Sequence, residues 1–343
     1  MSAVAVAVGS PDIVLSYVWA GIIAFAVFGY IAMDGFDLGI GMLFALFTTE
    51  QDRTHVMNSI APMWDGNETW LVLGGGALMA VFPLAYAVLI PALYTPLIAM
   101  LIGLIFRGVA FEFRWRTHRG KPYWDAGFCL GSALAAFMQG VALGAVLQGI
   151  HVQGRHYAGG WWDWVSPFSV LTGLSLMAGY ATLGAGWLIL KTEGELQQRA
   201  YRIARGCGIA LFIGMVAVST ATPFLQNRYY QRWFAWPTVF ATAQVPLLVA
   251  IVTALFFYGL HRRWQRAPFL LTVALFVLAY LGLGISIYPY LVPESITIRA
   301  AAAPAASQLF LLIGTAVLVP IILCYTGYAY WVFRGKVGAE GYH

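Results

Sequence analysis

Charged residues are scarce in this sequence: they make up 10% of 343 residues, while 61% are hydrophobic. A soluble domain carries about 25% charged residues, so the composition excludes an ordinary water-covered globule and fits a polytopic membrane protein with short loops. Cysteine is scarce as well. Cys129, Cys207 and Cys324 stand far apart in apolar stretches, with no C-x-x-C or C-x-x-C-H. That argues against a thiolate metal site or covalently attached haem, and the three read as packing residues. Histidine is missing from the span interiors, because His55, His118, His151, His156, His261 and His343 fall in loops, span ends or the tail. A haem buried between helices takes an axial His, Met or Cys from within a span. Mid-span Met79, Met138, Met177 and Met215 read as plastic packing, so no haem is expected in this chain. There is no G-x-S-x-G elbow and no H-E-x-x-H helix for hydrolysis. The run Leu73–Leu78 lacks the lysine and hydroxyl of a phosphate loop and reads as close helix packing. The first twelve residues have no basic n-region, which argues against a cleaved signal peptide.

What is abundant is apolar sequence in span-length blocks. About 20 apolar residues cross a bilayer, and on that rule nine spans are expected. They run Ile13–Phe47, Ser59–Phe82, Pro83–Phe111, Trp124–Ile150, Pro167–Leu190, Gly206–Leu225, Thr238–Leu260, Pro268–Leu291 and Ser307–Phe333. The expected fold is all-α, a single integral-membrane domain. It groups as a four-helix bundle over about 13–150, a second over 167–291 and a peripheral helix over 307–333. Fourteen Lys and Arg residues fall in loops on one side and four on the other, with Arg107 inside a span. Basic residues are retained on the cytoplasmic side, which puts the N-terminus outside and the C-terminus in the cytoplasm. The same retention accounts for the net charge of +5 without a nucleic-acid partner. Aromatic runs at Gly159–Trp164 and Arg228–Trp236 then form an outer interfacial belt.

Against this background a few polar residues stand out. Asp34 and Asp37 lie i, i+3 on one helix face of the first span. Gly35 and Gly39 make a small-x-x-x-small pair that allows close approach of another helix. Asp65 and Glu68 repeat the i, i+3 spacing at the start of the second span, and Arg107 and Glu112 end the third. All lie near the cytoplasmic side. Ionised groups at the bilayer centre cost about 2.5–3.5 kcal/mol each on insertion scales, so they face inward and pair. Two readings follow. One is an ion pair of Arg107 with Asp34 or Asp65 that locks three helices; the other is a hydrated proton-uptake route. A calcium loop fails on register, since alternate oxygen ligands and a glutamate at position twelve are missing.

Three stretches carry a resemblance: Met33–Leu43 (MDGFDLGIGML), Asn58–Leu71 (NSIAPMWDGNETWL) and Phe106–Arg114 (FRGVAFEFR). They resemble the signature blocks of subunit II of cytochrome bd-type quinol oxidases. Glu68 departs from the pattern, in which Gln is common at that position. The resemblance implies a complex in the bacterial cytoplasmic (inner) membrane that oxidises quinol and reduces dioxygen to water. It takes its protons from the cytoplasm rather than pumping them. It implies a heterodimer with subunit I, which carries two b-type haems and a third d-type or b-type haem, and at which quinol is oxidised. It leaves room for small single-span accessory subunits and for a quinone bound in this chain. Carried onto this sequence, Asp34, Asp37, Asp65 and Arg107 match a cytoplasmic proton path, with Glu68 and Glu112 as further members. Trp64 matches an aromatic of the second block, expected to pack beside Asp65 and orient it. The rival from another class is a proton-coupled secondary transporter, which glycine-interrupted spans with intramembrane acids also suit; against it, the acids crowd one end and no matching second half is evident.

Overall fold

In the computed structural model, residues 11–117 and 119–337 are described; the expectations for the first ten residues, His118 and His343 lie outside them. The described chain is helical apart from two short antiparallel hairpins. The helices are α1 (Pro11–Leu43), α2 (Glu50–Asn58), α3 (Trp64–Val81), α4 (Pro83–Ala92), α5 (Tyr94–Arg116), α6 (Lys121–Gln148) and α7 (Pro167–Lys191). After them come α8 (Gly194–Ala221), α9 (Asn227–Phe234), α10 (Val239–Thr242), α11 (Gln244–His261), α12 (Ala267–Ile287), α13 (Ile298–Ala301) and α14 (Ala305–Val332). Strands β1 (Val152–Gln153) and β2 (His156–Tyr157) form one hairpin, β3 (Tyr290–Val292) and β4 (Ile296–Thr297) the other.

Among the described residues eight helices are long and apolar enough to cross a membrane. The expected second span is α3, whose first two turns carry Asp65, Asn67 and Glu68, so that over its length it is less apolar than the apolar stretches of the eight. The expected third span is shorter than the sequence suggested. Pro83 opens the separate helix α4, and the backbone leaves helical geometry at Leu93 before α5 begins. Proline suits a first helical turn because its missing N–H would be unpaired there in any case. At the other extreme α8 starts twelve residues before the expected Gly206, since Arg199, Arg202 and Arg205 extend the helix beyond its apolar stretch.

Helix α1 packs against α3, α6 and α7; α5 packs on α6; α7 in turn packs on α8 and α12, which sits beside α11. The centre lies where α1 meets α7. Phe36 stacks on Trp187 with ring centroids 4.3 Å apart, and Phe269 closes edge-on against both. This closeness is set by glycine. A Cβ on Gly39 would lie 1.9 Å from the Tyr180 carbonyl oxygen, and one on Gly35 would lie 2.6 Å from the Tyr180 ring. The small-residue stripe of α1 therefore faces α7, as the spacing led us to expect of some neighbouring helix. Gly41 continues it against Ser132 of α6. Helix α14 runs along the outside, exposing Phe310, Val317, Ile321 and Tyr325, and is tied to α1 through Trp19 Nε1, which donates to the Gln308 carbonyl at 3.0 Å.

The two ends of the bundle differ. One gathers α2, the end of α5 and the starts of α6 and α8, joined by ion pairs, and the tail after α14, held by lysine-to-carbonyl hydrogen bonds. The other gathers the hairpins, α4, α9 and α13.

Gly39→Val should prevent the α1–α7 contact, because the obstacle is backbone and cannot rotate away. Overpacking typically costs about 1–3 kcal/mol, and this case should exceed it, seen as loss of assembled protein from detergent extracts. Gly206→Ala, where nothing lies within 4 Å of the added Cβ, should leave yield and melting temperature unchanged.

Candidate functional site

The polar residues of α1, α3 and α5 converge on Arg107. Its residue is 2% exposed, two turns before the end of α5. Nη1 donates to Asp34 Oδ1 at 2.6 Å, and Nη2 donates to Glu68 Oε1. The guanidinium also lies 5.8 Å from the Trp64 ring centroid. Asp34 and Asp37 are both fully buried. Asp37 does not touch the arginine; its Oδ2 accepts from Asn67 Nδ2 at 2.7 Å, and Asn67 Oδ1 accepts from the Tyr330 hydroxyl at 3.0 Å. Three atoms of this group, Asp34 Oδ2, Asp37 Oδ1 and Arg107 Nε, are buried with no protein hydrogen bond.

Of the residues picked out in the sequence, Asp34, Asp37, Glu68 and Arg107 come together, with Gly35 and Gly39 on the opposite side of α1 as spacers against α7. Asp65 and Glu112 do not join them. Both are exposed, and among the described residues neither makes an ion pair. The reason is helix register: Arg107 is met by Glu68, one turn after Asp65, and Glu112 lies off the Arg107 face of α5. Trp64 packs on Phe111, with centroids 5.2 Å apart, and beneath Arg107. Exposure falls steadily along the set: Asp65 is open, the Glu68 side chain is 30% exposed, and Asp34 is closed.

Several participants carried no signal of their own. Tyr180 donates its hydroxyl to Gln139 Oε1 at 2.8 Å, and Gln139 Nε2 donates to the Tyr30 hydroxyl at 2.7 Å. Tyr30 sits one turn before Asp34 on α1. A tyrosine or glutamine isolated in an apolar helix reads as packing, and only the three-helix contact links these side chains. Asn67 is not singled out by the sequence reading either, although it falls between Asp65 and Glu68 in the Asn58–Leu71 stretch.

A second set of charges lies farther toward the same end. Asp125 accepts from Arg53 Nη1 at 2.7 Å and from Arg114 Nε at 2.5 Å; Glu50 accepts from Arg114 Nη2 at 2.8 Å and Lys121 Nζ at 2.7 Å. Arg107 and Arg114 are seven residues apart on α5, about 10 Å along its axis. An aromatic row fills the gap. Arg107 faces Trp64, which meets Phe111; Phe111 meets Phe128, which meets Phe44, and Arg114 faces Phe44.

His55, His151, His156 and His261 all lie at helix ends or in connections, and no described histidine stands in the middle of a span.

Comparison with known proteins gives the family. Residues 15–333 match the family described as cytochrome bd terminal oxidase subunit II. The chain belongs to that family. Cytochrome bd-I ubiquinol oxidase subunit 2 of Escherichia coli is 30% identical, with 95% of this chain and 96% of that protein aligned. Cytochrome bd ubiquinol oxidase subunit 2 of Bacillus subtilis is 28% identical over 93% and 96%. The solved structure of bd oxidase from Geobacillus thermodenitrificans superposes with a TM-score of 0.74 at 16% identity, covering 93% of this chain and 98% of that one. The molecule is thus a multi-pass membrane component of a quinol oxidase, an oxidoreductase complex in which subunit II works with subunit I.

The outer charges give a pH test. Glu50 lies outside the spans; burial alone would raise its pKa, but the hydrogen bond from Lys121 and the charge of Arg114 outweigh it and hold the carboxyl below its ordinary value. A depressed carboxyl stabilises the fold above its unfolded-state pKa, and the contribution disappears as pH falls through the folded value. Thermal unfolding should therefore show a loss on acidification below about pH 4.3 that is smaller in Glu50→Gln; equal pH profiles would remove Glu50 from the clamp.

Proposed function

We propose that this chain is the haemless subunit II of a terminal quinol oxidase in the bacterial cytoplasmic membrane. In this reading it supports subunit I and delivers protons to it from the cytoplasm. The observation that carries the reading is the buried group around Arg107: one guanidinium, three carboxyls within its reach or its field, and three buried polar atoms without protein partners. Buried polar groups are satisfied by protein or by ordered water, so a group with this many open positions is suited to holding water between carboxylates. A helix lock needs none of those openings.

The basic end of the bundle is the cytoplasmic one on the positive-inside rule. Asp65 and Glu112 sit on the uncovered surface of α3 and α5 at that end, and Gly66, Gly75 and Gly76 leave the α3 surface low, with nothing within 4 Å of an added Cβ. This is the face we assign to subunit I. The route does not run through the ring of Glu50, Asp125 and Arg114, because the aromatic row has no group that can carry protons. In this reading the proton is taken up past Asp34 and Asp37 in the field of Arg107, passes by Glu68 to Asp65 at the rim, and crosses from Asp65 to subunit I. Haems and the quinol reaction are assigned to subunit I, in keeping with the histidine placement. Dioxygen reduction consumes protons there, and the chain's task is to replace them without admitting bulk water.

The alternative is a proton-coupled transporter, which would use the same acids. Purification separates the two: the oxidase subunit should come out with a haem-bearing partner in a coloured preparation, whereas a colourless lone polypeptide would favour the carrier. Asp65→Asn tests the path without disturbing the fold, since Asp65 bears no internal contact. Oxygen consumption should fall at least several-fold while haem spectra and subunit ratio stay intact; unchanged turnover would show that the protons travel elsewhere. Asp34→Asn should have both effects, slower turnover and reduced assembly, because removing one partner of a buried pair costs about 3–5 kcal/mol.

A further inference from the structure

Away from Arg107, at the same end of the bundle, a cavity of about 250 Å³ opens between the lead-in to α3, the end of α7 and the tail after α14. Asn58, Ser59, Met63, Lys191, Phe333 and Lys336 contribute to its walls. Its two ammonium groups are arranged reciprocally. Lys191, only 3% exposed, donates from the end of α7 to the carbonyls of Phe333 and Gly335, which terminate α14. Lys336 reaches back from the tail and donates to the carbonyls of Ile189 at 3.3 Å and Thr192 at 2.9 Å, at the end of α7. Val337 N completes the exchange by donating to the Lys191 carbonyl at 2.9 Å.

Cations at helix C-termini are favourable, and that accounts for the carbonyl contacts. It leaves three things over. Each ammonium has three N–H donors, and the contacts just named use two on each. Asn58 is 93% buried by the same measure that gives it 7% exposure, and its Nδ2 has no hydrogen-bond partner. Neither lysine forms an ion pair with a carboxylate among the described residues. The charge of Glu193 is felt at Lys336, but it does not pair with it. A closed-in ammonium (Lys191, which also faces the Trp187 ring at 4.9 Å), an exposed one (Lys336) and a buried amide donor thus meet around one cavity in which, among the described residues, no carboxylate pairs with either lysine. A buried amide donor is costly to leave without an acceptor.

We propose that the cavity between α7, the α3 lead-in and the C-terminal tail binds one phosphate-class oxyanion, held by Lys191, Lys336 and the Asn58 amide. A phosphate group has the charge to balance two ammoniums and enough oxygens to accept from all three side chains. Its source is either the headgroup of an anionic phospholipid or a soluble phosphate, and the site lies at the membrane end where both are accessible in the topology proposed above.

The test uses the purified, delipidated complex with subunit I, as wild type and as Lys336→Met and Asn58→Asp. The first variant removes one charge from the tail together with its two bonds to the end of α7; the second replaces the open amide by an internal carboxylate that repels the ligand. Two probes are applied: phosphatidylglycerol in phosphatidylcholine nanodiscs, read by native mass spectrometry, and inorganic phosphate, read by titration calorimetry. Wild type should retain one equivalent of one probe, with affinity at least tenfold weaker in both variants. Retention of phosphatidylglycerol alone identifies a lipid headgroup; saturable uptake of inorganic phosphate identifies a soluble ligand. Binding of neither probe, or binding undiminished in the variants, overturns the proposal. Should Asn58→Asp fail to assemble, Lys336→Met decides alone.

Discussion

A guanidinium enclosed by apolar helices has to be neutralised where it stands, and much of this molecule follows from meeting that requirement at Arg107. One carboxylate would balance the charge but leave most of the arginine's five donors idle. Two carboxylates from different helices, Asp34 on α1 and Glu68 on α3, bind opposite arms of the fork. The arrangement fixes the depth and rotation of α1, α3 and α5 together. It requires α1 to present its acidic side to α5, which in turn leaves the opposite side of α1 to meet α7. There only glycine serves, because the Tyr180 carbonyl occupies the space that any side chain at position 39 would need. A charged contact on one face of α1 and a backbone contact on the other are thus two consequences of a single orientation.

That same orientation explains why Asp37 is set apart from the pair. It stands i, i+3 from Asp34 and shares its side of the helix, yet one of its oxygens is bonded by Asn67, itself held by Tyr330, instead of by the arginine. The buried carboxyls of α1 are therefore held in two ways, one by a fixed charge and one by neutral dipoles.

Much of this was legible in the sequence, and the parts that were not share a cause. The apolar blocks, the acidic pairs on α1 and α3, the lone arginine of α5 and the glycine spacing all announced themselves, since each is conspicuous in an oily chain. Register was not available. Whether Asp65 or Glu68 meets Arg107 depends on the depth of α3 to within one turn, and Glu112 faces outward because it lies off the Arg107 face of α5. Helix ends were blurred where composition changes gradually. The start of α8 was missed because its arginines continue a helix into the watery zone, and α4 because a proline and a near-helical break interrupt an otherwise unbroken apolar run. Tyr30, Gln139 and Tyr180 become a chain only when three helices are brought side by side. The lysine exchange between α7 and the tail likewise links positions far apart in sequence and has no local signature.

The row of Trp64, Phe111, Phe128 and Phe44 has a further bearing on how the molecule experiences its surroundings. It separates two charge systems on α5 that differ in their contact with solvent: Glu50, at 53% side-chain exposure, is bathed by the medium, while Arg107 is closed off. Mobile ions screen exposed charges over about 8 Å at physiological ionic strength, but act far less on buried ones. Fluctuations in salt or crowding outside the membrane therefore loosen or tighten the outer ring without altering the field at Asp34. The aromatic rings act as electrical insulation, and the inner site keeps a constant setting while ionic conditions at that end of the bundle change.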